Sequence, residues 1–337
     1  MRSRFRRSLP VPLVCVGLIG WAFPAGVHAG PPLRQQALIQ ALGPALGAGV
    51  VRGGSQVVLE RAEGGDTPVL SFQSPGGPVR LLLDTGAAAT MVTPALVQRL
   101  GLSRRSLPPE AFSLAGGGAA CPALSLSSTR LPPLQLPGAP GRPAYQLTGA
   151  EALVIPGAPL PRGVDGVLGA PALRQAPLVV DPPAQIVALG PPALRWREAM
   201  AAPPQVVPLT WRRGVPLLPL RIRPTSGGPP ITLKALADTG AEGVFLTAAL
   251  AERLTPLLTS QPARLVGVCG LQEVRRQRLF GLAIGTEGSP VGSVEALILS
   301  NPVFPLLEVE AIVGQELLRE RRQLWRLDRL PPRLELW

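Results

Sequence analysis

The sequence predicts an all-β fold of two homologous, β-barrel-like lobes related by a pseudo-twofold axis, with only short helices. Three observations carry that prediction. Leu83-Asp84-Thr85-Gly86-Ala87 recurs as Ala237-Asp238-Thr239-Gly240-Ala241, and the likeness continues without a gap to Leu100 and Leu254. The 337 residues include 42 prolines and 38 glycines, which disfavours long helices and favours short strands joined by turns. Apolar runs before the repeated aspartates, such as residues 231–237, alternate with the period of a strand.

The chain begins with Arg2, Arg4, Arg6 and Arg7, an apolar run from Leu9 to Phe23, and Val27-His28-Ala29. That order reads as a secretory signal over residues 1–29, cleaved before Gly30. The run is too short and too interrupted by proline for a convincing membrane span, and no later segment has the roughly 20 apolar residues of one. The product is expected to be exported, periplasmic or extracellular; tethering by an uncleaved leader is the alternative. Residues 30–50 form an N-terminal segment or propeptide, in which Leu33 to Leu46 can make a short helix.

The first lobe spans residues 51–190. A strand over Val79 to Leu83 runs into the Asp84 loop, and Met91-Val92 leaves it. A short helix follows from Pro94 to Leu100, N-capped by Thr93, with Pro94 suited to its first position and Gly101 ending it. Downstream lie the Gly-rich stretch Leu114-Ala115-Gly116-Gly117-Gly118, then Asp165-Gly166-Val167-Leu168-Gly169, then strands over 178–181 and 186–189. Residues 191–204 have linker composition. The second lobe, 205–337, repeats the series. It has a strand over 231–237, the strand Val244-Phe245-Leu246, and a helix from Ala248 to Leu254 capped by Thr247. Next come Leu265-Val266-Gly267-Val268-Cys269-Gly270, Glu310-Ala311-Ile312-Val313-Gly314, and strands near 324–328 and 333–336.

Composition narrows the chemistry. The chain has one histidine, His28, inside the leader, so residues 30–337 have none. Ser-His-Asp and Cys-His catalysis and His-ligated metals are thereby excluded after cleavage. Cys121 and Cys269 are the only cysteines beyond the leader, too few for a structural zinc; outside the cytoplasm they can pair or stay free. No metal and no cofactor are expected. The net charge of +12 falls to +8 without the leader's four arginines. The arginines are scattered apart from a cluster between Arg319 and Arg333, and no aromatic interleaving builds a stacking platform, so nucleic acid is not expected as a partner. Lys234, the only lysine, is expected on the surface of its strand. Of six aspartates, Asp181 and Asp328 suit turns after strands, and Asp165 suits bonds to nearby backbone N–H groups.

The doubled Asp-Thr-Gly-Ala, each copy followed by Val-Leu-Gly or Ile-Val-Gly, resembles the aspartic proteases. Within them it is similar to the retropepsin-like branch, laid out as two lobes in one chain. The resemblance implies an aspartic endopeptidase acting as a monomer on peptides or unfolded proteins, with Asp84 and Asp238 as a catalytic dyad. A twofold axis sets two carboxylates face to face, and like charges so close cannot both ionise, so one is a base and the other an acid. Thr85 and Thr239 would bond across the axis, and Gly86 and Gly240 would leave room for the carboxylates. Gly116, Gly117, Gly118, Gly267 and Gly270 would belong to flaps that close on an extended peptide. The strands ending at Gly169 and Gly314 would pass beneath the two loops. Ala87 and Ala241 lack a hydroxyl that would lower the dyad's pKa, which predicts a mildly acidic pH optimum. The first flap has no tyrosine or tryptophan near Gly116–Gly118, unlike pepsin-like enzymes. Glu242, opposite Ala88 in the repeat, reads as a solvated loop residue or a substrate-facing acid. The alternative function is a catalytically inactive protein that keeps the fold and binds peptides or a partner in its cleft.

Overall fold

The computed structural model describes residues 39–43, 45–108, 113–116, 126–138, 141, 143–155, 160–224, 228–254, 260–267 and 270–337. It is mostly β, with a few short helices, and the sequence repeat is a repeat of topology. In the first lobe the order of neighbouring strands is Pro68–Ser74, Gly77–Asp84, Gly166–Gly169, Met91–Val92, Tyr145–Val154, Ser127–Arg130, Arg105–Ser106. In the second it is Val215–Ile222, Ile231–Ala237, Ala311–Val313, Val244–Leu246, Ser293–Ile298, Gly270–Phe280, Gln261–Gly267. Position by position the seven strands correspond.

Each lobe places one aspartate at the end of a buried strand. Gly77–Asp84 runs parallel to Gly166–Gly169 with Asp84 opposite Gly169, and Ile231–Ala237 runs parallel to Ala311–Val313 with Ala237 opposite Val313. The leaving strands Met91–Val92 and Val244–Leu246 pair antiparallel on the far side of these same strands. The helices Pro94–Arg99 and Ala248–Leu254 then start under caps: Thr93 Oγ1 accepts the Leu96 N–H at 3.2 Å and Thr247 Oγ1 accepts the Leu250 N–H at 3.2 Å. Arg99 and Arg253, matched in the repeat, reach the matched acids Asp165 (2.6 Å) and Glu310 (2.8 Å). Asp165 also accepts the Arg80 N–H at 2.9 Å, the backbone role its sequence context suggests.

A six-stranded antiparallel sheet joins the lobes, in the order Gln205–Pro208, Arg333–Leu336, Gln323–Arg326, Leu178–Asp181, Ile186–Leu189, Ser55–Val58. Its central pair sets Leu178 opposite Trp325, one residue from each lobe. The main hydrophobic core crosses this boundary, from Leu83 and Leu168 through Leu178 and Trp325 to Ala237 and Val313. Asp181 accepts the Ala184 N–H at 3.0 Å as a turn residue does, and also bonds Trp196 Nε1 and Arg322 Nε at 2.9 and 3.2 Å.

Two segments differ from the sequence reading. The stretch 191–204 contains the helix Pro191–Glu198, with prolines at its first positions, where no N–H is needed. Its Ala193 and Trp196 pack on the six-stranded sheet, and Trp196 meets Trp337 edge-on at 5.2 Å. A helix over Leu33 to Leu46 is not formed through its second half. Ile39–Leu42 is a strand, antiparallel to Ser113–Gly116, because a ladder of distant partners overrides local preference.

Candidate active site

The two Asp-Thr-Gly loops meet at the axis between the lobes and hold each other by exchanged bonds. Thr85 Oγ1 donates to the Ala237 carbonyl at 2.7 Å and accepts the Thr239 N–H at 3.0 Å. Thr239 Oγ1 donates to the Leu83 carbonyl at 2.7 Å and accepts the Thr85 N–H at 3.0 Å. Both threonines are fully buried, so each hydroxyl satisfies a donor and an acceptor that water cannot reach.

Gly86 and Gly240 are required by the carboxylates across the axis. A Cβ on Gly86 would fall within the Asp238 carboxylate, and one on Gly240 within that of Asp84. Gly169 and Gly314 are required for a second reason. A Cβ on either would collide with the backbone carbonyls of the Asp-Thr-Gly loops, Ala87 and Ala89 in one lobe, Ala241 and Gly243 in the other. Behind each glycine a short helix donates to its loop: the Ala170 N–H to the Ala87 carbonyl at 2.9 Å, and the Gln315 N–H to the Ala241 carbonyl at 2.8 Å.

Asp84 is 4% exposed and Asp238 has no exposed surface. Asp238 Oδ1 accepts the N–H groups of Gly240 and Ala241 at 2.8 and 3.2 Å, and the N–H groups of Gly86 and Ala87 lie against Asp84. Burial pushes the Asp84 carboxyl well above the usual carboxylate range, and the neighbouring Asp238 charge pushes it the same way, against the backbone N–H groups of Gly86 and Ala87. Burial also raises Asp238, opposed by the bond from Asp84 and by the N–H groups of Gly240, Ala241 and Gly86. The pair titrates as a unit that keeps one proton past the pH at which isolated carboxyls lose theirs.

The other sequence-predicted residues are placed as follows. Gly116 ends the strand Ser113–Gly116, whereas Gly117, Gly118, Cys121 and Cys269 lie outside the described residues. Gly267 and Gly270 face each other at the end of the hairpin formed by Gln261–Gly267 and Gly270–Phe280. Lys234 is exposed on its strand, as expected.

Glu242 is half-buried and engaged by the opposite lobe. Its carboxylate crosses to the first lobe and accepts the Asp66 N–H (2.8 Å), the Thr67 N–H (2.9 Å) and the Thr67 hydroxyl (2.5 Å). A Cβ at Gly65 would collide with that carboxylate, so a side chain there would displace Glu242. Arg319 closes the same contact, 3.1 Å from Asp66 and 3.5 Å from Glu316. Gln315 is a second residue that sequence reasoning missed: buried behind the loop, it donates Nε2 to the Thr239 carbonyl at 2.7 Å. The available signal was the break in the repeat, Ala88 against Glu242 and Ala170 against Gln315.

Residues 71–172, which carry the Asp84 loop, match the family described as aspartyl protease. A search of curated proteins returned no match. Similar solved structures include basic 7S globulin from soybean, at 12% identity and TM-score 0.49, covering 84% of this chain and 94% of that one. Conglutin gamma from lupine seeds gives 12% and 0.48, with 84% and 94% covered. An aspartic proteinase from Irpex lacteus gives 13% and 0.46, with 84% and 96% covered. By its matched first lobe and the repeated Asp-Thr-Gly-Ala loops, the chain resembles the aspartic proteases, within which a retropepsin-like character is consistent.

Proposed function

We propose that the protein is an aspartic endopeptidase in which Asp84 and Asp238 activate one water between them. The observation that carries this reading is a pair of enclosed carboxyls, one from each lobe, both raised above the ordinary range. In the resting dyad Asp84 holds the shared proton and Asp238 is the base. A water between them passes a proton to Asp238 as its oxygen bonds the peptide carbonyl carbon, while Asp84 gives its proton to the carbonyl oxygen. When the C–N bond of the resulting diol breaks, the leaving nitrogen takes the proton from Asp238 and a diol hydroxyl returns one to Asp84, restoring the dyad. Because one group must be ionised and the other neutral, activity spans a window lifted above the unperturbed carboxyl pKa of about 4.

The test is digestion of an unfolded protein by purified residues 30–337, between pH 3 and 7, beside Asp84→Asn and Asp238→Asn. The expected result is cleavage with a mildly acidic optimum, reduced at least about a thousandfold in each variant, as when one member of a catalytic unit is removed. Activity that survives either substitution, or an optimum below about pH 3, an ordinary carboxyl's range, contradicts the dyad.

A further inference from the structure

The pseudo-twofold symmetry is broken beside the dyad. Four residues beyond Asp238, Glu242 grips the turn between Glu60–Arg61 and Pro68–Ser74 of the opposite lobe. Four residues beyond Asp84 the repeat has Ala88, which packs against the second lobe's core. The turn opposite it, between Thr210–Arg212 and Val215–Ile222, carries Arg213 and Gly214. With no carboxylate at position 88 to meet that turn, a cavity of about 360 Å³ opens there, lined by Ala88, Thr90, Glu151, Arg174 and Arg213 among others.

Among the described residues the cavity's two arginines form no ion pair. Arg213 Nε donates to the Leu306 carbonyl at 3.1 Å, which aims the guanidinium without neutralising it. Arg174, at the end of the helix Ala170–Leu173, is exposed and forms no ion pair or side-chain hydrogen bond among the described residues. The single acid, Glu151, already accepts the Gly47 N–H at 3.2 Å and lies 3.8 Å from Arg105. The wall is tied to the catalytic loop, since Thr90 Oγ1 accepts the Gly169 N–H at 3.4 Å.

We propose that this cavity is a subsite for an acidic side chain of the peptide substrate, a Glu or Asp whose carboxylate takes the place that Glu242 fills on the other side. The inference rests on the reading of the cleft as a peptide site. Arg174 and Arg213 offer paired N–H donors that match a carboxylate, and a cationic side chain entering the cavity would meet two like charges. The arginines are solvent-accessible, so the discrimination is moderate: about tenfold in kcat/KM for Glu over Lys, shrinking with added salt.

The experiment is a set of internally quenched peptides of one sequence, with Glu, Gln or Lys placed in turn at each position flanking the scissile bond. They are assayed with the parent, Arg174→Glu, Arg213→Glu and Arg213→Lys. At one position the parent is expected to rank Glu above Gln above Lys. The Glu/Lys ratio should invert in the two charge-reversed variants and persist in Arg213→Lys. Cleavage with no such ratio, or with a ratio unmoved by the reversals, overturns the subsite and leaves the dyad standing. If no peptide is cleaved, the dyad reading fails and fluorescence anisotropy decides the subsite. Asp84→Asn protein that binds the Glu peptide more tightly than the Lys peptide, with the order reversed by Arg174→Glu, supports it; equal binding overturns it.

Discussion

Asp84 and Asp238 are enclosed in the folded protein and solvated in the unfolded chain, so ionising them costs more in the former. Both pKa values are raised by folding, which fixes the sign of the pH dependence. The dyad's contribution to stability is full below the unfolded pKa of about 4 and is lost as pH rises through the folded values. Asp84→Asn removes that loss, and its amide can donate to Asp238. Its Tm should therefore exceed the parent's at pH 7, by about 2–4 °C per kcal/mol relieved, and the gain should shrink toward pH 4. Thermal melts at the two pH values check this; an equal difference at both would mean that the carboxyls are not strained by burial. The dyad was legible in the sequence because a duplicated motif marks itself. Glu242 was not. Its partners lie about 175 positions away and two of them are backbone N–H groups, which have no signature in a sequence.

The loops that carry the dyad are short, and their rigidity comes from what they exchange. Thr85→Ala would strand the Ala237 carbonyl and the Thr239 N–H in a dry interior, at a cost of about 1–3 kcal/mol for each group left unpaired. Thr85→Ser keeps the hydroxyl and should recover most of that loss. Urea unfolding of the three proteins tests the point, and equal midpoints for Ala and Ser would show that the methyl group, not the hydroxyl, holds the loops. Elements with local causes were legible: the helices Pro94–Arg99 and Ala248–Leu254 follow from their threonine caps. Elements with distant causes were not. Pro191–Glu198 hides in proline-rich composition that reads as linker until the sheet beneath Trp196 is known, and Ile39–Leu42 is a strand only because Ser113–Gly116 lies beside it.

The whole molecule is two copies of one topology made interdependent. The six-stranded sheet, the threonine exchange and the Glu242 contact each take one half from each lobe, so neither lobe has a complete core or a complete site. That level was the most legible, since gapless repetition through Leu100 and Leu254 requires equivalent folds. The pairing of Ile39–Leu42 with Ser113–Gly116 lies outside this symmetry, and in the proposed peptidase it would turn substrate entry at that edge into a competition. A peptide that seeks this edge of the Ser113–Gly116 strand must displace a rival carried on the same chain, whose local concentration is set by its tether and is on the order of millimolar. The rival would multiply the apparent KM of that peptidase by the inverse of the fraction of time the edge is vacant. Protein beginning at Gly43 should therefore show a lower KM than protein beginning at Gly30, and adding a synthetic peptide of residues 37–43 in trans should raise it again only at millimolar concentrations.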